Sequence, residues 1–176
     1  VGLHAGMLGA HLGAADAIFA DLADTRIGSE SIEALVGELT RRGVDEVLPE
    51  FAVDPGDSAL ESATWINHAY SGHDVDAILA RMDGLAEEVP EAGEAAAALR
   101  SRSPLSVRVA HRAITASADL SLAGALIQEY TVGMHMLRSA DFREGIRAQL
   151  VDKDRNPTWS PARLADVDDD LLDHFF

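Results

Sequence analysis

The chain is dominated by apolar residues that recur at the spacing of an α-helix, and each of these runs follows a residue that can cap a helix. Residues 32–39 carry apolar side chains at i, i+3, i+4 and i+7, and Ser29 precedes them. A second apolar stripe in 75–85 follows Asp74, and the longest run, 121–138, begins at a serine. Because this periodicity fits helices and not strands, we predict a mainly α-helical fold with about eight helices.

Capping and turn signals indicate three further boundaries. Ser58-x-x-Glu61 has the pattern of a capping box and predicts a helix from there to about Tyr70. Ser103-Pro104 combines a serine cap with a proline in the first turn, which again indicates the start of a helix. Residues 44–57 contain two prolines and a glycine, so we predict a loop there.

The first part of the chain has a different character. Alternating residues in 23–27 predict one short strand, which needs a partner because a lone strand leaves its backbone groups unpaired. Gly2, Gly6, Gly9 and Gly13 stand three or four residues apart, so on a helix they form a smooth ridge. Such a ridge weakens an isolated helix and favours close approach of a partner surface.

The composition excludes several classes of protein. A length of 176 residues suits one ordinary domain, and a hydrophobic content of 47% argues against wholesale disorder. The net charge of −16 disfavours a nucleic-acid partner, whose phosphates need a basic face. There is no cysteine, and His4 and His11 have no third ligand at a suitable spacing, so we predict no metal site. No apolar run approaches the ~18 residues of a membrane span and no signal-peptide pattern opens the chain, so we predict a cytoplasmic protein without a membrane partner.

A dense charged segment, 152–157, follows a predicted helix at 140–150. Asn156-Pro157 marks a turn, because proline disfavours the α region for the residue before it. Trp159 then offers a large apolar anchor that can pin the segment to the rest of the protein. A charged loop that is held in this way is typical of a surface that meets a ligand or a partner chain.

The surroundings of this segment are basic within an acidic chain. Residues 138–163 hold six basic residues against four acidic ones, so the region can attract a phosphate. Lys153 and Arg155 are the side chains that we select as ligands, while salt bridging within the segment is the alternative. We predict no catalytic residue, since neither a G-x-S-x-G motif nor a cysteine is present and the acidic stretch 87–94 reads as a solvated helix junction.

Several motifs together resemble one family. Residues 141–145 (DFREG) and 152–161 (DKDRNPTWSP) resemble the end of the 3-hydroxyisobutyryl-CoA hydrolase branch of the crotonase, or enoyl-CoA hydratase/isomerase, superfamily. Other landmarks of the family stand in the expected order: Gly13–Ala17, Asp21–Ala23, Ser103–Val107, Glu129-Tyr130 and Met136–Arg138.

The resemblance implies that the chain is the C-terminal half of a longer protein. In that family the N-terminal half carries the spiral of β-turns, the oxyanion hole and the acidic catalytic residues. Residues 1–43, with the short strand 23–27, then correspond to the end of the crotonase core. Residues 44–176 correspond to the C-terminal helical portion of a crotonase-type α/β fold, with the loop 152–159 on the side of the bound coenzyme A (CoA).

The resemblance also implies a function. The parent protein is expected to hydrolyse 3-hydroxyisobutyryl-CoA or a close short-chain relative, as in valine breakdown, with the CoA thioester as substrate and no separate cofactor. The partners implied are the missing N-terminal half, acyl-CoA and further copies of the chain. We expect the chain alone to be inactive. Two alternatives stay open: an enoyl-CoA hydratase or isomerase, and a helical oligomerisation or interaction module without catalysis.

Overall fold

The computed structural model describes residues 1–72 and 74–176, and α-helices account for most of them. Within these residues the β-structure is limited to a single bridged pair, so the mainly α-helical prediction is confirmed. Other helical turns occupy Ser29–Ser31, Arg147–Val151 and Leu164–Asp166, and the second of these is a wide π turn. The α-helices are α1 (Gly2–Leu8), α2 (Ala14–Phe19), α3 (Ile32–Leu39), α4 (Val44–Phe51), α5 (Ala59–Ser62), α6 (Thr64–Ala69), α7 (Val75–Leu85), α8 (Pro90–Ser101), α9 (Pro104–Ser117), α10 (Leu122–Arg138), α11 (Ala140–Ile146) and α12 (Asp169–Asp173).

The chain divides into two compact units, of which the larger contains residues 1–10 and 65–176 and the smaller contains residues 11–64. In the larger unit α7 packs against α8, and α9 packs against both α1 and α10. The centre of this unit consists of aliphatic and methionine side chains that are almost completely buried: Val75, Ile78, Met82, Leu99 and Val107. Burial of this apolar surface is the main stabilising contribution to the unit.

Helix α1 approaches α9 through a glycine. A methyl group at Gly6 would overlap the side chain of Ile114 in α9, so the absent side chain permits the close contact. Gly9 ends the helix in the left-handed conformation, with φ of 62°, and its N–H donates to the carbonyl of Ala5. Part of the predicted glycine ridge therefore finds its partner surface within this chain. Because α1 ends before His11, that residue does not share a helix face with His4.

The C-terminal segment closes over the opposite side of α9. Phe175 and Leu172 pack with Leu105 and Val109 in one buried apolar cluster. The guanidinium of Arg112 lies 4.5 Å from the centroid of the Phe176 ring and donates to Asp173 at 2.6 Å. The two final phenylalanines thus anchor an otherwise acidic tail to the helix.

Polar contacts connect the elements within the smaller unit. Asp16 of α2 accepts hydrogen bonds from the Ser58 hydroxyl at 2.8 Å and from the Leu60 N–H at 3.2 Å. The Ser58 bond is the larger cause, and the Leu60 bond the next, of a lowered pKa for the Asp16 carboxyl. Arg42 forms ion pairs with Glu46 at 2.9 Å and Glu50 at 2.5 Å, which lie one turn apart on α4.

The predicted strand at 23–27 is wrong. Of these residues only Ile27 pairs, in an isolated antiparallel bridge with Ala52. The carbonyl of Arg26 accepts from the N–H of Val53 at 3.0 Å, and the Arg26 side chain donates to the carbonyl of Asp54 at 2.7 Å. These bonds involve only Arg26 and Ile27, so no ladder of paired residues forms along the segment.

The predicted loop at 44–57 is also wrong in its first half, because Val44–Phe51 forms α4 with Pro49 inside it. Proline removes one helical hydrogen bond. Two contacts offset that loss: Val47 is completely buried, and Arg42 bridges successive turns of the helix. The burial of Val47 and these ion pairs outweigh the local loop signal of Pro49.

Four of the predicted caps are confirmed, since Ser58, Asp74, Ser103 and Ser121 each accept a hydrogen bond from the backbone N–H three residues ahead. Ser29 makes no such bond and instead begins the turn before α3. Two predicted helices are interrupted: the one from Ser58 divides into α5 and α6, and the one at 140–150 continues beyond Ile146 as the π turn.

Candidate functional site

One guanidinium organises the charged segment that follows α11. The Nε and Nη2 atoms of Arg147 donate to the two carboxylate oxygens of Glu144 at 2.9 and 2.8 Å. Its Nη1 atom donates to Asp152 and to Asp154, in both cases at 2.6 Å. Three carboxylates therefore converge on one cation, and the bidentate pair with Glu144 fixes the plane of the guanidinium.

These contacts change the titration of the groups involved. The hydrogen bonds from Arg147, and then one from the Thr158 N–H at 2.7 Å, lower the pKa of Glu144 to about 2. Arg147 and the N–H of Asn156 likewise lower the pKa of Asp154, and the three carboxylates raise the pKa of Arg147. Glu144, Arg147 and Asp154 are therefore ionised at neutral pH.

The backbone of the loop bends sharply at two residues other than glycine. Lys153 has φ of 58° and Arg155 has φ of 55°, in the left-handed region that side chains with a β-carbon rarely adopt. The Arg155 N–H donates to the carbonyl of Ala148 at 3.0 Å, and the Asn156 N–H donates to Asp154 at 2.9 Å. Strained backbone held by surrounding contacts is found more often at functional sites than elsewhere.

The two bends carry the predicted ligand residues, Lys153 and Arg155, at the exposed tip of the loop. Across residues 1–72 and 74–176, neither side chain forms a hydrogen bond or an ion pair. Their acidic neighbours Asp152 and Asp154 both turn to Arg147 instead. Two cations are thus presented to solvent, while the neighbouring carboxylates form their ion pairs with Arg147.

Trp159 anchors the far end of the loop, as the sequence predicts. Its indole N–H donates to the carbonyl of Ser101 at 3.0 Å. The ring lies beside Gly145 of α11, 3.6 Å from the position that a β-carbon there would occupy. The loop is therefore attached both to the end of α8 and to α11.

A buried carboxylate connects the loop to the start of α9. Asp141 is only 3% exposed and accepts a hydrogen bond from the hydroxyl of Ser103, the residue that caps α9. Its other oxygen accepts from the N–H of Ser160 at 2.8 Å. A buried charge needs such partners, so the three residues form one structural unit.

Two cavities adjoin this network. The larger, of about 520 Å³, lies between the end of α1, the start of α9 and α11, and Phe142, Ile146 and Trp159 contribute its apolar wall. The smaller, of about 400 Å³, is lined mainly by polar and charged residues, which include Arg143, Glu144 and Arg147. Neither lining includes Lys153 or Arg155, so the described structure places the two predicted ligand residues on the outer surface of the loop.

Comparison with known proteins identifies the family. The sequence profile described as enoyl-CoA hydratase/isomerase matches residues 1–176. The chain belongs to the enoyl-CoA hydratase/isomerase family. Among curated relatives, 3-hydroxyisobutyryl-CoA hydrolase 1 of Arabidopsis thaliana is 30% identical over 99% of this chain and 50% of its own length. The mitochondrial 3-hydroxyisobutyryl-CoA hydrolase of Xenopus tropicalis is 29% identical over 100% of this chain and 48% of its own length.

Solved structures give the same relationship for the fold. A carnitinyl-CoA dehydratase from Mycobacterium thermoresistibile superposes with a TM-score of 0.87 and is 39% identical, over 99% of this chain and 50% of that one. An enoyl-CoA hydratase from Rhodobacter sphaeroides 2.4.1 gives a TM-score of 0.82 and 30% identity, over 98% of this chain and 50% of that one. The chain thus spans about half the length of the family members it matches.

Metal ligands are not clustered in the part of the chain that the structure describes. No group of three histidine or acidic side chains there is arranged to hold an ion. His4 instead packs edge-on against Trp65 and Tyr70, with ring centroids 5.6 and 5.4 Å away, and burial lowers its pKa. None of the described helices combines the length and the apolar character that crossing a bilayer requires.

The sequence does not single out two central residues of the site. Arg147 is one of six basic residues in its region, although its i, i+3 spacing from Glu144 is a recognisable pair signal on a helix. Asp141 stands within a family motif, and its bond to Ser103 joins residues 38 positions apart. No local pattern indicates a contact of that range.

Proposed function

We propose that this chain is the helical half of an acyl-CoA thioester hydrolase that acts on 3-hydroxyisobutyryl-CoA or a close short-chain 3-hydroxyacyl-CoA. The names of the curated relatives support the reaction, and the match along nearly all of this chain supports the assignment to half of such a protein. In this proposal residues 1–43 complete the core of the whole protein and residues 44–176 form its helical region. Valine breakdown is the pathway and the cytoplasm is the compartment that we propose.

Hydrolysis of a thioester adds water to the acyl carbonyl and releases the acid and the free thiol of CoA. The reaction needs backbone N–H donors directed at the developing oxyanion and a carboxylate that handles the proton of the attacking water. We assign both to the other half of the protein, and we expect the present chain alone to be catalytically silent.

The role that we assign to this chain is to hold CoA through Lys153 and Arg155. The supporting observation is the pairing in the loop: Asp152 and Asp154 form their ion pairs with Arg147, so Lys153 and Arg155 have no direct ion-pair partner among the described residues. Lysine presents a compact charge and arginine a planar fork, and both suit the phosphates of CoA. The same pairing disfavours the alternative in which Lys153 and Arg155 form salt bridges within the segment.

The binding test uses CoA itself and the purified chain in a calorimetric titration. Lys153→Ala and Arg155→Ala are each expected to weaken binding by about 1.5- to 5-fold, because an exposed ionic contact contributes ~0.2–1 kcal/mol. Arg41→Ala, which removes an exposed charge just after the end of α3, is the control and is expected to leave binding unchanged. Equal affinities for all four proteins would contradict the assignment.

A chemical test reads Lys153 directly, because it is the only lysine in the chain. Acetylation of its ε-amino group, followed by mass spectrometry, is expected to be slower when CoA is present. The α-amino group of Val1 serves as the internal reference in the same sample. Protection of both amines, or of neither, would contradict a contact at the loop.

The activity test follows free thiol. The chain alone is expected to release no thiol from 3-hydroxyisobutyryl-CoA, whereas the full-length protein is expected to release it. Turnover by the chain alone would contradict the assignment of the catalytic groups to the other half of the protein.

The second candidate function is hydration of an enoyl-CoA, which the two structural neighbours support by their names. Loss of the enoyl double bond without release of thiol would identify that reaction instead.

A further inference from the structure

A third cavity, of about 190 Å³, lies between the end of α8, the start of α9 and residues 162–164. Leu99 and Pro104, which are both buried, contribute apolar surface to its lining. Among the described residues no acidic side chain lines the cavity, and its charged lining consists of three arginines, Arg100, Arg102 and Arg163. Such a concentration of positive groups is notable in a chain that has 30 acidic residues against 14 basic ones.

Two of the three guanidinium groups are held in place from outside the cavity. Arg100 donates from Nη1 and Nη2 to the two carboxylate oxygens of Asp83, at 2.9 and 2.6 Å. Arg163 donates from Nε and Nη2 to Asp166 at 2.8 and 2.6 Å. Both pairs are bidentate, so they fix the planes of the two guanidinium groups. Because a guanidinium has five N–H donors, each of these arginines keeps donors that its carboxylate does not use.

The third guanidinium has no such partner. Arg102 follows α8 directly, and its backbone N–H donates to the carbonyl of Leu99 at 3.2 Å. Across residues 1–72 and 74–176 its exposed side chain forms neither a hydrogen bond nor an ion pair. Three positive groups and two carboxylate partners therefore leave one positive charge at the cavity, which an anion would complement.

The size and the chemistry of the cavity restrict that anion. Pockets for drug-sized ligands measure about 300–1,000 Å³, so this smaller cavity suits a single compact group. The planar fork of arginine matches the oxygens of phosphate, and a tetrahedral oxyanion can accept hydrogen bonds from several guanidinium groups at once. The apolar surface of Leu99 and Pro104 keeps water from part of the cavity, which strengthens ionic contacts there.

We propose that this cavity binds a phosphate-type oxyanion, with Arg102 as its main ligand and Arg100 and Arg163 as donors that are already oriented. The anion would connect the end of α8 with residues 162–164. Free phosphate and the phosphate group of a larger molecule share this chemistry, and the test separates them. The inference does not depend on CoA binding at Lys153 and Arg155.

The test is equilibrium dialysis of the full 176-residue chain against labelled inorganic phosphate at constant ionic strength. The wild-type chain is expected to bind phosphate at one saturable site in the millimolar range. Arg102→Gln should weaken binding by about 5-fold, the upper end for an exposed ionic contact. Arg138→Gln is the matched control and is expected to bind as the wild type does. It removes the same charge from an exposed arginine whose side chain has no ion pair among the described residues.

A second set of samples separates this site from the proposed CoA contact and identifies the source of the anion. Lys153→Ala is expected to bind inorganic phosphate as tightly as the wild type. Displacement of the labelled phosphate by CoA would assign the cavity to the phosphate group of a larger molecule, whereas retention beside CoA would assign it to free phosphate. An Arg102→Gln chain that binds phosphate as well as the Arg138→Gln chain, or a wild type without saturable binding, would overturn the proposal.

Discussion

Helices α9 and α10 are neighbours of similar length, and both begin at a serine cap, yet they are used differently. Helix α9 buries Leu105, Val107 and Val109 beneath the surrounding helices, and Leu105 is only 4% exposed. Helix α10 buries none of its side chains, and Leu126 is 61% exposed. The same local code therefore specifies a helix in both cases, but it does not specify what the apolar side of that helix meets.

The difference shows where the stability of the larger unit resides. Helix α9 is contacted by α1 on one side and by the C-terminal segment on another, so it is the centre of the packing. Helix α10 is attached by one side only. We expect equivalent substitutions on the two helices to have very different effects, and the following predictions measure that difference.

The largest effect is expected from deleting a buried leucine. Leu105→Ala removes a side chain from the cluster with Val109 and Phe175 and should lower the free energy of unfolding by about 2–5 kcal/mol. Leu126→Ala on α10 should change it by less than ~0.5 kcal/mol. Urea denaturation at a concentration where the chain is monomeric compares the two. Similar losses for both variants would show that α10 is packed in solution.

The caps of the two helices provide the second comparison. Ser103→Ala removes the N-cap of α9 and leaves the buried Asp141 without a partner for one oxygen, so we expect a loss of about 2–3 kcal/mol. Ser121→Ala removes only the bond to the Gly124 N–H, which should lower stability by about 1 kcal/mol. The same denaturation assay applies, and equal losses would mean that Asp141 contributes nothing through Ser103.

Two glycines, one exposed on α10 and one at the contact of α1 with α9, test the available space. Gly133→Ala on α10 should raise stability by about 0.5–1 kcal/mol, because alanine favours the helix and the surroundings are open. Gly6→Ala on α1 should show no such gain, since its methyl group meets Ile114 of α9. Thermal denaturation of the two variants is the measurement. A gain at Gly6 equal to that at Gly133 would contradict the close contact.

The smallest effect concerns pH. Burial, opposed by Asp74 and assisted by Arg108, lowers the pKa of His111 on α9 below 6.5. The unfolded chain therefore binds the proton more readily, so the stability from neutral His111 is present above pH 6.5 and is lost as the pH falls below it. His111→Gln should reduce the fall in stability between pH 7.5 and 5.5. A residual fall is expected from His4, whose pKa is lowered by burial as well.

Much of the fold could be predicted from short-range signals. Serine and aspartate caps marked the starts of α5, α7, α9 and α10, because a cap acts within three residues. The predictions of a strand at 23–27 and of a loop at 44–57 failed, because local propensity does not show which residues pair or which are buried. Val47, for example, is completely buried in the helix that contains Pro49, and Arg42 binds two turns of the same helix.

The sequence predicts that the charged loop is pinned, but it does not predict which of its charged groups pair. The charge run and Trp159 indicated a pinned loop, and the structure confirms the anchor through Ser101. The choice of Lys153 and Arg155 as CoA ligands stays a prediction. Arg147 forms ion pairs and the other two residues do not, because Asp152 and Asp154 both contact Arg147. A sequence of alternating charges is compatible with several such pairings.

The bond pattern of Asp141 has a consequence for how the loop can move. Its carboxylate holds the Ser103 cap of α9 and the Ser160 N–H together. Swinging the end of the loop outward would break the Ser160 bond and leave one oxygen of the buried Asp141 side chain without its partner. That cost favours a loop end that stays in place against α11 and the start of α9.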